Sequence, residues 1–260
     1  LRMPRRKNAR SQLVCTVSDI HFDLHDVPTW RAFRKWHARN KPHRTIVLGD
    51  FLDLGMMSKF IPGPEDTRDP IAQIKCFVTE VNALVAEACT VEVMEGNHDE
   101  RWGKYVLGAA PDILKDAKGL SLREQCLAQG MDPRVVWHRE SNSFDGIRVG
   151  HVTLRHGHNQ SGRFGGAKHL CANRLAKSMG ESEGFGHHHR AQLFWMTAHG
   201  KTAFAVSNPC MTKRHSYSID PDWQWGFTKY EVVNGRAFPY LVVMDNGVFA
   251  EGGRVYDGNV

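Results

Sequence analysis

Five short motifs rich in aspartate, asparagine and histidine contain the residues of this sequence that could do chemistry. They are Asp19-Ile20-His21, Gly49-Asp50-Phe51-Leu52-Asp53, Gly96-Asn97-His98-Asp99, His156-Gly157-His158 and Gly186-His187-His188-His189. Together they supply carboxylate and amide oxygens and imidazole nitrogens, and no thiolate. That mixture suits Mn, Fe, Zn, Ni or Mg rather than a structural cysteine–zinc site. The ligands suffice for two ions, and one carboxylate must bridge them if they lie roughly 3.5–4 Å apart, as in two-metal hydrolases.

Each motif taken alone has a simpler explanation. An aspartate and a histidine at a strand end are more often a turn or a helix cap, and three adjacent histidines can be a solvated loop or an incidental metal trap. The combination of all five in one chain is what indicates a metal centre.

The elements that must position these motifs are strands that end just before them. Apolar, β-branched runs predict strands over 12–18, 45–48, 90–94 and 148–154. Further strands are predicted over 191–198 and 202–207, and a hairpin over 240–250 that turns at Asn246-Gly247. Helical spacing predicts helices over 30–39, 70–89 and 167–179. Strands alternate with helices in the first hundred residues, which favours parallel strands whose carboxyl ends converge at one edge.

The ordered series of motifs resembles the calcineurin-like metallophosphoesterases over residues 19–189. The resemblance implies a four-layer α/β sandwich with two mixed β-sheets flanked by helices. A looser resemblance extends further. Gly96 to Arg101, His156 to His158, Gly186 to Arg190 and Asp222-Trp223-Gln224-Trp225-Gly226-Phe227 are similar to a bacteriophage-type subgroup described as phosphoesterases or nucleases.

The family resemblance also implies a role for each motif residue. The first metal would be held by Asp19, His21, Asp50 and His189, and the second by Asp50, Asn97, His156 and His187, so that Asp50 is the bridge. His98 would be the general acid that protonates the leaving oxygen, oriented by Asp99. Asp53 would hydrogen-bond a ligand imidazole or order its loop.

The implied function is hydrolysis of phosphate esters with two divalent ions, manganese above the other metals. The metals would polarise the phosphoryl group and generate a hydroxide that attacks in line. Within this class we expect a phosphodiesterase or nuclease. The alternatives are hydrolysis of a cyclic or other small nucleotide, or of a phosphomonoester. A different class is a catalytically inactive protein-binding scaffold, which the presence of all seven ligands and His98 disfavours.

Several other residues have two open interpretations. Arg101 and Arg190 lie beside the motifs and could bind phosphate or pair with a nearby acid. His158 could donate to a phosphate, hydrogen-bond a ligand or order the turn. Trp223, Trp225 and Phe227 could stack on a nucleobase or pack in the core.

Charge is concentrated in two segments of a chain with a formal net charge of +6. Five of the first ten residues are basic, and residues 29–44 contain six cations and no acid, whereas the remainder is net acidic. The basic face of the helix over 30–39, with Arg31, Arg34, Lys35 and Arg39, could follow a nucleic-acid backbone or simply be solvated.

The remaining expectations concern organisation and location. We expect residues 1–10 to be a flexible basic tail and 11–260 to be a single metallophosphoesterase domain. The six cysteines form no C-x-x-C pair, which favours free thiols and a cytoplasmic location, the host cytoplasm if the protein is phage-encoded. We expect no membrane partner, because no apolar run approaches the roughly 20 residues needed. The oligomeric state is left open.

Overall fold

Two β-sheets lie face to face between helices in the computed structural model. It describes residues 11–58, 68–87, 90–109, 119–139, 145–158, 169–178, 180–215 and 222–260. Helices α1 (Val27–Asn40) and α2 (Pro70–Glu87) cover the outer face of the first sheet, and α5 (Leu170–Lys177) covers that of the second. The predicted four-layer α/β sandwich is therefore confirmed.

The first sheet has six strands in the order β11-β10-β1-β2-β3-β4. Its strands are β1 (Gln12–Val17), β2 (Arg44–Leu48), β3 (Thr90–Glu95), β4 (Val136–Arg139), β10 (Trp225–Val233) and β11 (Arg236–Met244). Strands β1 to β4 are parallel to one another, as the alternating pattern predicted. Strand β10 is antiparallel to both of its neighbours, β1 and β11.

The second sheet has five strands in the order β5-β6-β7-β9-β8. They are β5 (Ile147–Val149), β6 (Val152–Arg155), β7 (Glu183–Phe185), β8 (Gln192–Ala198) and β9 (Lys201–Ser207). Strands β6, β7 and β9 are parallel, so this sheet also presents a shared carboxyl edge. A separate pair is formed by β12 (Val248–Glu251) and β13 (Arg254–Asp257).

Alternation along the central strands builds the two inner layers of the core. Val14 and Ile46 point into the apolar layer between the sheets, whereas Cys15, Val17 and Val47 point toward the helices. Both faces of these strands are buried, which explains why their sequences are continuous apolar runs rather than alternating ones.

The helices are α1 (Val27–Asn40), α2 (Pro70–Glu87), α3 (Glu100–Ala109), α4 (Leu122–Ala128) and α5 (Leu170–Lys177). Helix α1 begins three residues before the prediction because Asp26 accepts a hydrogen bond from Thr29 N at 2.9 Å and Pro28 suits its first turn. A 3-10 turn, Gly55–Met57, follows β2.

The basic face of α1 is partly occupied by contacts within the protein. Arg34 Nη1 donates to Glu80 at 2.9 Å and Nη2 to Glu87 at 2.5 Å. Lys35 Nζ donates to the carbonyls of Asp257 and Val260 at 2.8 and 2.6 Å. Two of the four cations considered for nucleic-acid contact therefore serve to join α1 to α2 and to the C-terminal segment.

Two predicted elements differ from the structure. The strand predicted over 148–154 is a hairpin of β5 and β6, because Gly150 adopts a φ of 58° and reverses the chain. The predicted turn at Asn246-Gly247 forms, with φ values of 48° and 72°. Its flanking strands separate, however, since β11 pairs with β10 and β12 pairs with β13.

Five cysteines are free thiols: Cys15, Cys76, Cys126, Cys171 and Cys210. Cys89 and residues 1–10 lie outside the described residues, so the predicted tail stays a prediction, as does the single domain over 11–260. Among the described helices, none is both long and apolar enough to cross a membrane.

Candidate functional site

The predicted ligands lie at the carboxyl ends of five parallel strands. Asp19 follows β1, Asp50 follows β2 and Asn97 follows β3 in the first sheet. His156 follows β6, and His187 and His189 follow β7, in the second. The two sheets thus deliver their polar loops to one edge of the sandwich, where α/β folds commonly bind ligands.

Left-handed backbone conformations are concentrated at these loops. The φ angle is 53° at Asp19, 50° at His21, 49° at Asp50, 69° at His187 and 58° at His189. Such conformations in non-glycine residues cost on the order of 1–3 kcal/mol each and cluster at sites of function. Five of the seven predicted ligands therefore have a left-handed backbone conformation.

One group of potential ligands consists of Asp19, His21 and His189, all buried, with one ligand atom of each within 4.8 Å of the others. His21 Nδ1 faces Asp53 Oδ1 at 3.3 Å, so the Nε2 atom of His21 is the one available to the group. Within the described residues, Asp19 Oδ1 and His21 Nε2 are buried without a hydrogen-bond partner. Asp19 Oδ1 only approaches His189 Nε2, at 3.2 Å.

A second group consists of Asp50, His156 and His187. His156 Nδ1 donates to the carbonyl of Leu48 at 2.9 Å, which leaves Nε2 to face Asn97 Oδ1 at 3.1 Å and Asp50 Oδ2 at 3.2 Å. A ligating histidine typically donates its other ring nitrogen to a carboxylate or carbonyl in this way. Asn97 thus belongs with the second group.

The two groups are adjacent. The amide of His187, from the second group, donates to Asp19 Oδ2, from the first, at 2.9 Å. Asp50 Oδ1 accepts from His98 N at 2.8 Å. Among the groupings of described residues Asp50 occurs only in the second, so the expectation that it bridges two ions remains a prediction.

Charge and burial oppose one another in these groups. Burial raises the pKa of Asp19, but His189 and His156 more than offset it and hold that pKa below its ordinary value. Burial lowers the pKa of His156, yet the Asp50 carboxylate outweighs it and raises this pKa to about 10. Burial and the nearby His156 lower the pKa of His187 to about 4. The protein without metal therefore keeps a proton on His156, where a cation would otherwise balance the carboxylates.

Two glycines allow this close approach. Gly49 has a φ of 82°, and a Cβ there would fall on the ring of His156. A Cβ at Gly96 would fall on the carboxylate and backbone nitrogen of Asp50. The glycines of the second and third motifs are thus required by packing around the predicted ligands.

His98 lies beside the first group, with its ring centroid 4.6 Å from that of His21. Its Nδ1 atom lies 3.0 Å from the carbonyl of Asp53 and 3.2 Å from the Oδ1 atom of Asp53. The same Oδ1 also faces His21. Asp53 is therefore the residue that holds both imidazoles.

Among the described residues no hydrogen bond joins Asp99 to the His98 ring, and the expectation that Asp99 orients His98 stays a prediction. The Asp99 carboxylate accepts from Gly96 N at 2.8 Å, Leu52 N at 2.9 Å and Phe51 N at 3.4 Å. Asp99 thus ties the second motif to the third. Burial and the charge of Asp50 raise its pKa.

Three further predicted residues have defined partners. Arg101 donates to the Asp53 carbonyl at 2.8 Å, and its Nη2 lies 3.1 Å from His98 Nε2. His158 Nε2 lies 3.6 Å from Glu100. Arg190 pairs with Asp222 at 3.4 Å, which is the ion-pair alternative considered for it.

The three late aromatic residues have different surroundings. Phe227 is fully buried and packs on the rings of Trp36 and Phe33, so core packing is its role. Trp225 donates to the Thr212 carbonyl at 2.8 Å. Trp223 is half-buried and lies at the site, with its ring centroid 4.3 Å from that of His189.

His215 belongs to the site but was missed by sequence reasoning. It is buried, its ring lies 5.1 Å from that of His21 and 5.5 Å from that of Trp223, and burial together with His21 lowers its pKa to about 3. A lone histidine after Lys213-Arg214 has no motif spacing. Only the packing of residues 210–215 against the first motif reveals it, for example Met211 N bound to Asp19 O at 3.1 Å.

These residues fit divalent cations. Buried carboxylate and imidazole atoms that converge on one another, beside a histidine whose pKa is raised by a neighbouring carboxylate, are the features expected of a site for divalent cations. A third combination, His21, Asp53 and His215, is also close enough. In this combination His21 Nδ1 and Asp53 Oδ1 already face each other at 3.3 Å, and the buried His215 lies beside them.

Comparisons with solved structures find similar chains of low identity. Vacuolar protein sorting 29 from Cryptosporidium parvum is 15% identical, with 95% of each chain covered and a TM-score of 0.47. Purple acid phosphatase from yellow lupin (Lupinus luteus) seeds is 9% identical, with 96% of this chain and 53% of that chain covered and a TM-score of 0.46. No curated protein matches the sequence.

Residues 13–194, more than half of the chain, match the family described as Calcineurin-like phosphoesterase. The match includes all five motifs and both ligand groups, but not Trp223 or His215. The chain belongs to the calcineurin-like phosphoesterase family.

Proposed function

We propose that this protein hydrolyses phosphodiesters with two divalent metal ions at the site between the two sheets. The observation that supports it most is the pair of adjacent ligand groups. Among the described residues, the buried His21 Nε2 has no hydrogen-bond partner there, and the buried Asp19 Oδ1 faces His189 Nε2 at 3.2 Å. The family resemblance assigns the same residues to metals. When bound, the ions would polarise the phosphate and activate water.

The ligand residues would divide between the ions as the motifs predict. Asp19, His21 and His189 would hold one, while Asn97, His156 and His187 would hold the other, with Asp50 between them. Manganese is the first ion to test, because oxygen and imidazole ligands suit it and no thiolate is present.

His98 would act as the general acid. Its Nδ1 atom is held by Asp53, so Nε2 is the atom available to give a proton to the leaving oxygen. Asp53 would thus be a positioning residue for His98.

Arg101 would bind the phosphate. A guanidinium only donates hydrogen bonds, so its contact with His98 Nε2 requires that this nitrogen be unprotonated. A substrate phosphate offers Arg101 a stronger acceptor and would leave Nε2 free to hold its proton.

We favour diesters because exposed Lys213 and Arg214 flank the site, next to His215, and could meet a second phosphate of a chain. The looser resemblance to bacteriophage nucleases agrees with this choice. Small or cyclic nucleotides and phosphomonoesters are the alternative substrates.

The test is hydrolysis by protein stripped with a chelator and reloaded with Mn²⁺. The substrates are bis-p-nitrophenyl phosphate, p-nitrophenyl phosphate, a cyclic nucleotide, single- and double-stranded DNA, and RNA. Manganese-dependent cleavage of diesters that Asp19→Asn abolishes is the expected result. Preference for the monoester would replace the diester assignment. No metal-dependent cleavage of any ester would favour the inactive scaffold.

A further inference from the structure

Trp223 lies at the edge of the site, next to a residue whose backbone is held by hydrogen bonds to two other segments. The adjacent Gln224 donates from its backbone N to His189 O at 3.0 Å, and its carbonyl accepts from Cys210 N at 3.0 Å. Trp223 is therefore fixed between the histidine loop and residues 210–215, both of which reach the site.

The Trp223 ring packs against the rings of His189 and His215, and we call these three rings the aromatic wall. The planes of His189 and His215 meet that of Trp223 at 67° and 77°, with centroids 4.3 and 5.5 Å away. The indole of Trp223 is half-buried. A half-buried indole so close to a predicted metal ligand offers an apolar surface beside the phosphate position.

Cations flank this wall. Arg214 lies over the ring of Trp225, 5.8 Å from its centroid, and Lys213 is exposed next to it. Arg190 precedes the wall and pairs with Asp222. An aromatic platform with basic residues around it is the combination that binds nucleotides through stacking and phosphate contacts.

We propose that Trp223 is a specificity-determining residue that stacks on the nucleoside of a nucleotidyl phosphodiester, with His215 supporting the ring from behind. This inference rests on the proposed function and extends it to a substrate class. Both a mononucleotide ester and a polynucleotide contain this nucleoside. The cations at 213 and 214 would contact only the further phosphates of a polynucleotide.

The experiment compares two esters that share a leaving group. Thymidine 5′-(p-nitrophenyl phosphate) and methyl p-nitrophenyl phosphate each consume one water and release p-nitrophenolate, so they differ only in the group that remains on phosphorus. Trp223→Ala should raise KM for the thymidine ester about tenfold more than for the methyl ester. Trp223→Phe should restore most of the difference, because it keeps an aromatic face.

A matched control is Trp195→Ala, since Trp195 is an exposed tryptophan on β8 that packs on Phe204 instead of on the site. It should leave the ratio of the two KM values unchanged. Equal effects of Trp223→Ala on both esters, or none on either, would overturn the inference while leaving the phosphoesterase intact. A wild-type protein that cleaves neither ester would overturn both.

A double variant, Lys213→Ala with Arg214→Ala, distinguishes a polynucleotide substrate from a mononucleotide ester. With a single-stranded oligonucleotide, a polynucleotide substrate predicts a higher KM and a weaker salt dependence for this variant. An unchanged KM would assign the stacking site to mononucleotide esters.

Discussion

His98 Nδ1 lies 3.2 Å from the carboxylate of Asp53, and the same carboxylate oxygen lies 3.3 Å from His21 Nδ1. One aspartate thus holds both a predicted metal ligand and the predicted general acid. The fifth and last residue of the G-D-x-x-D motif would therefore couple the geometry of the predicted metal site to proton transfer, which was not visible from spacing alone.

Removing this coupling should affect the step in which the leaving oxygen is protonated. His98→Ala is expected to lower kcat about 10²–10⁴-fold for an alkyl or nucleoside leaving group. The loss should be much smaller for p-nitrophenolate, which leaves without a proton. Asp53→Asn should follow the same pattern more weakly, because the imidazole loses its negative partner.

Metal content distinguishes the two variants. His98→Ala should bind as much manganese as the wild type, measured by elemental analysis after gel filtration, because His98 is not in either ligand group. Asp53→Asn should bind manganese more weakly through its contact with His21. Loss of an ion in His98→Ala would show that His98 is itself a ligand.

The fold could be read from the sequence mainly where one physical signal dominated. Runs of apolar residues located β1, β2 and β3, and the ligand loops follow them. The edge strand β4 was missed, because it has only four residues, Val136 to Arg139, of which two are polar and none is fully buried. Strand β10 was missed as well, since Trp225 and Phe227 suggested a substrate site rather than an inward-facing alternation.

The site could be predicted only as far as its motifs extend. All seven predicted ligand residues are brought together, but the orientation of each ring depends on contacts between distant segments. The family resemblance implied that Asp99 orients His98, whereas the buried carboxylate of Asp99 accepts hydrogen bonds from the backbone amides of residues 51, 52 and 96. His215 comes from a loop after β9, and no sequence pattern connects it to His21.

Asp50 should control the occupancy of both ions. Wild-type protein is expected to bind two manganese ions per chain, by elemental analysis and by titration calorimetry. Asp50→Asn should weaken both, because it removes the carboxylate that is predicted to bridge the two ions. Asp132→Asn is a suitable control, since Asp132 pairs with Arg134 before β4, at the far end of that strand from the site. A wild-type protein that saturates at one ion would contradict the two-metal mechanism.

Stability without metal should depend on pH through His156. Its pKa is raised from 6.5 to about 10 in the folded protein, so the folded state binds a proton at His156 more tightly than the unfolded state does. This contribution is fully present below about pH 6.5, the unfolded value, and is lost as the pH rises to 10. The difference in melting temperature between wild type and His156→Gln should therefore shrink over that range in the presence of a chelator.

Manganese should displace the same proton. At pH 8 the wild type is expected to release it on binding, seen as a calorimetric enthalpy that varies with the ionisation enthalpy of the buffer. His156→Gln should release about one proton fewer. Equal proton release by both proteins would mean that the proton is held elsewhere.

Arg34 should stabilise the fold rather than bind substrate. Its guanidinium joins α1 to Glu80 and Glu87 on α2, and Glu87 also accepts from the buried His37 at 2.8 Å. The arginine and both glutamates are mostly buried, so Arg34→Ala should lower the free energy of unfolding by roughly 1–3 kcal/mol, measured with urea. Arg31→Ala, on an exposed position of the same helix, should change it little. Neither variant should alter KM or its salt dependence for an oligonucleotide. If Arg34→Ala instead kept full stability and raised that KM, the basic face of α1 would be part of the substrate site after all.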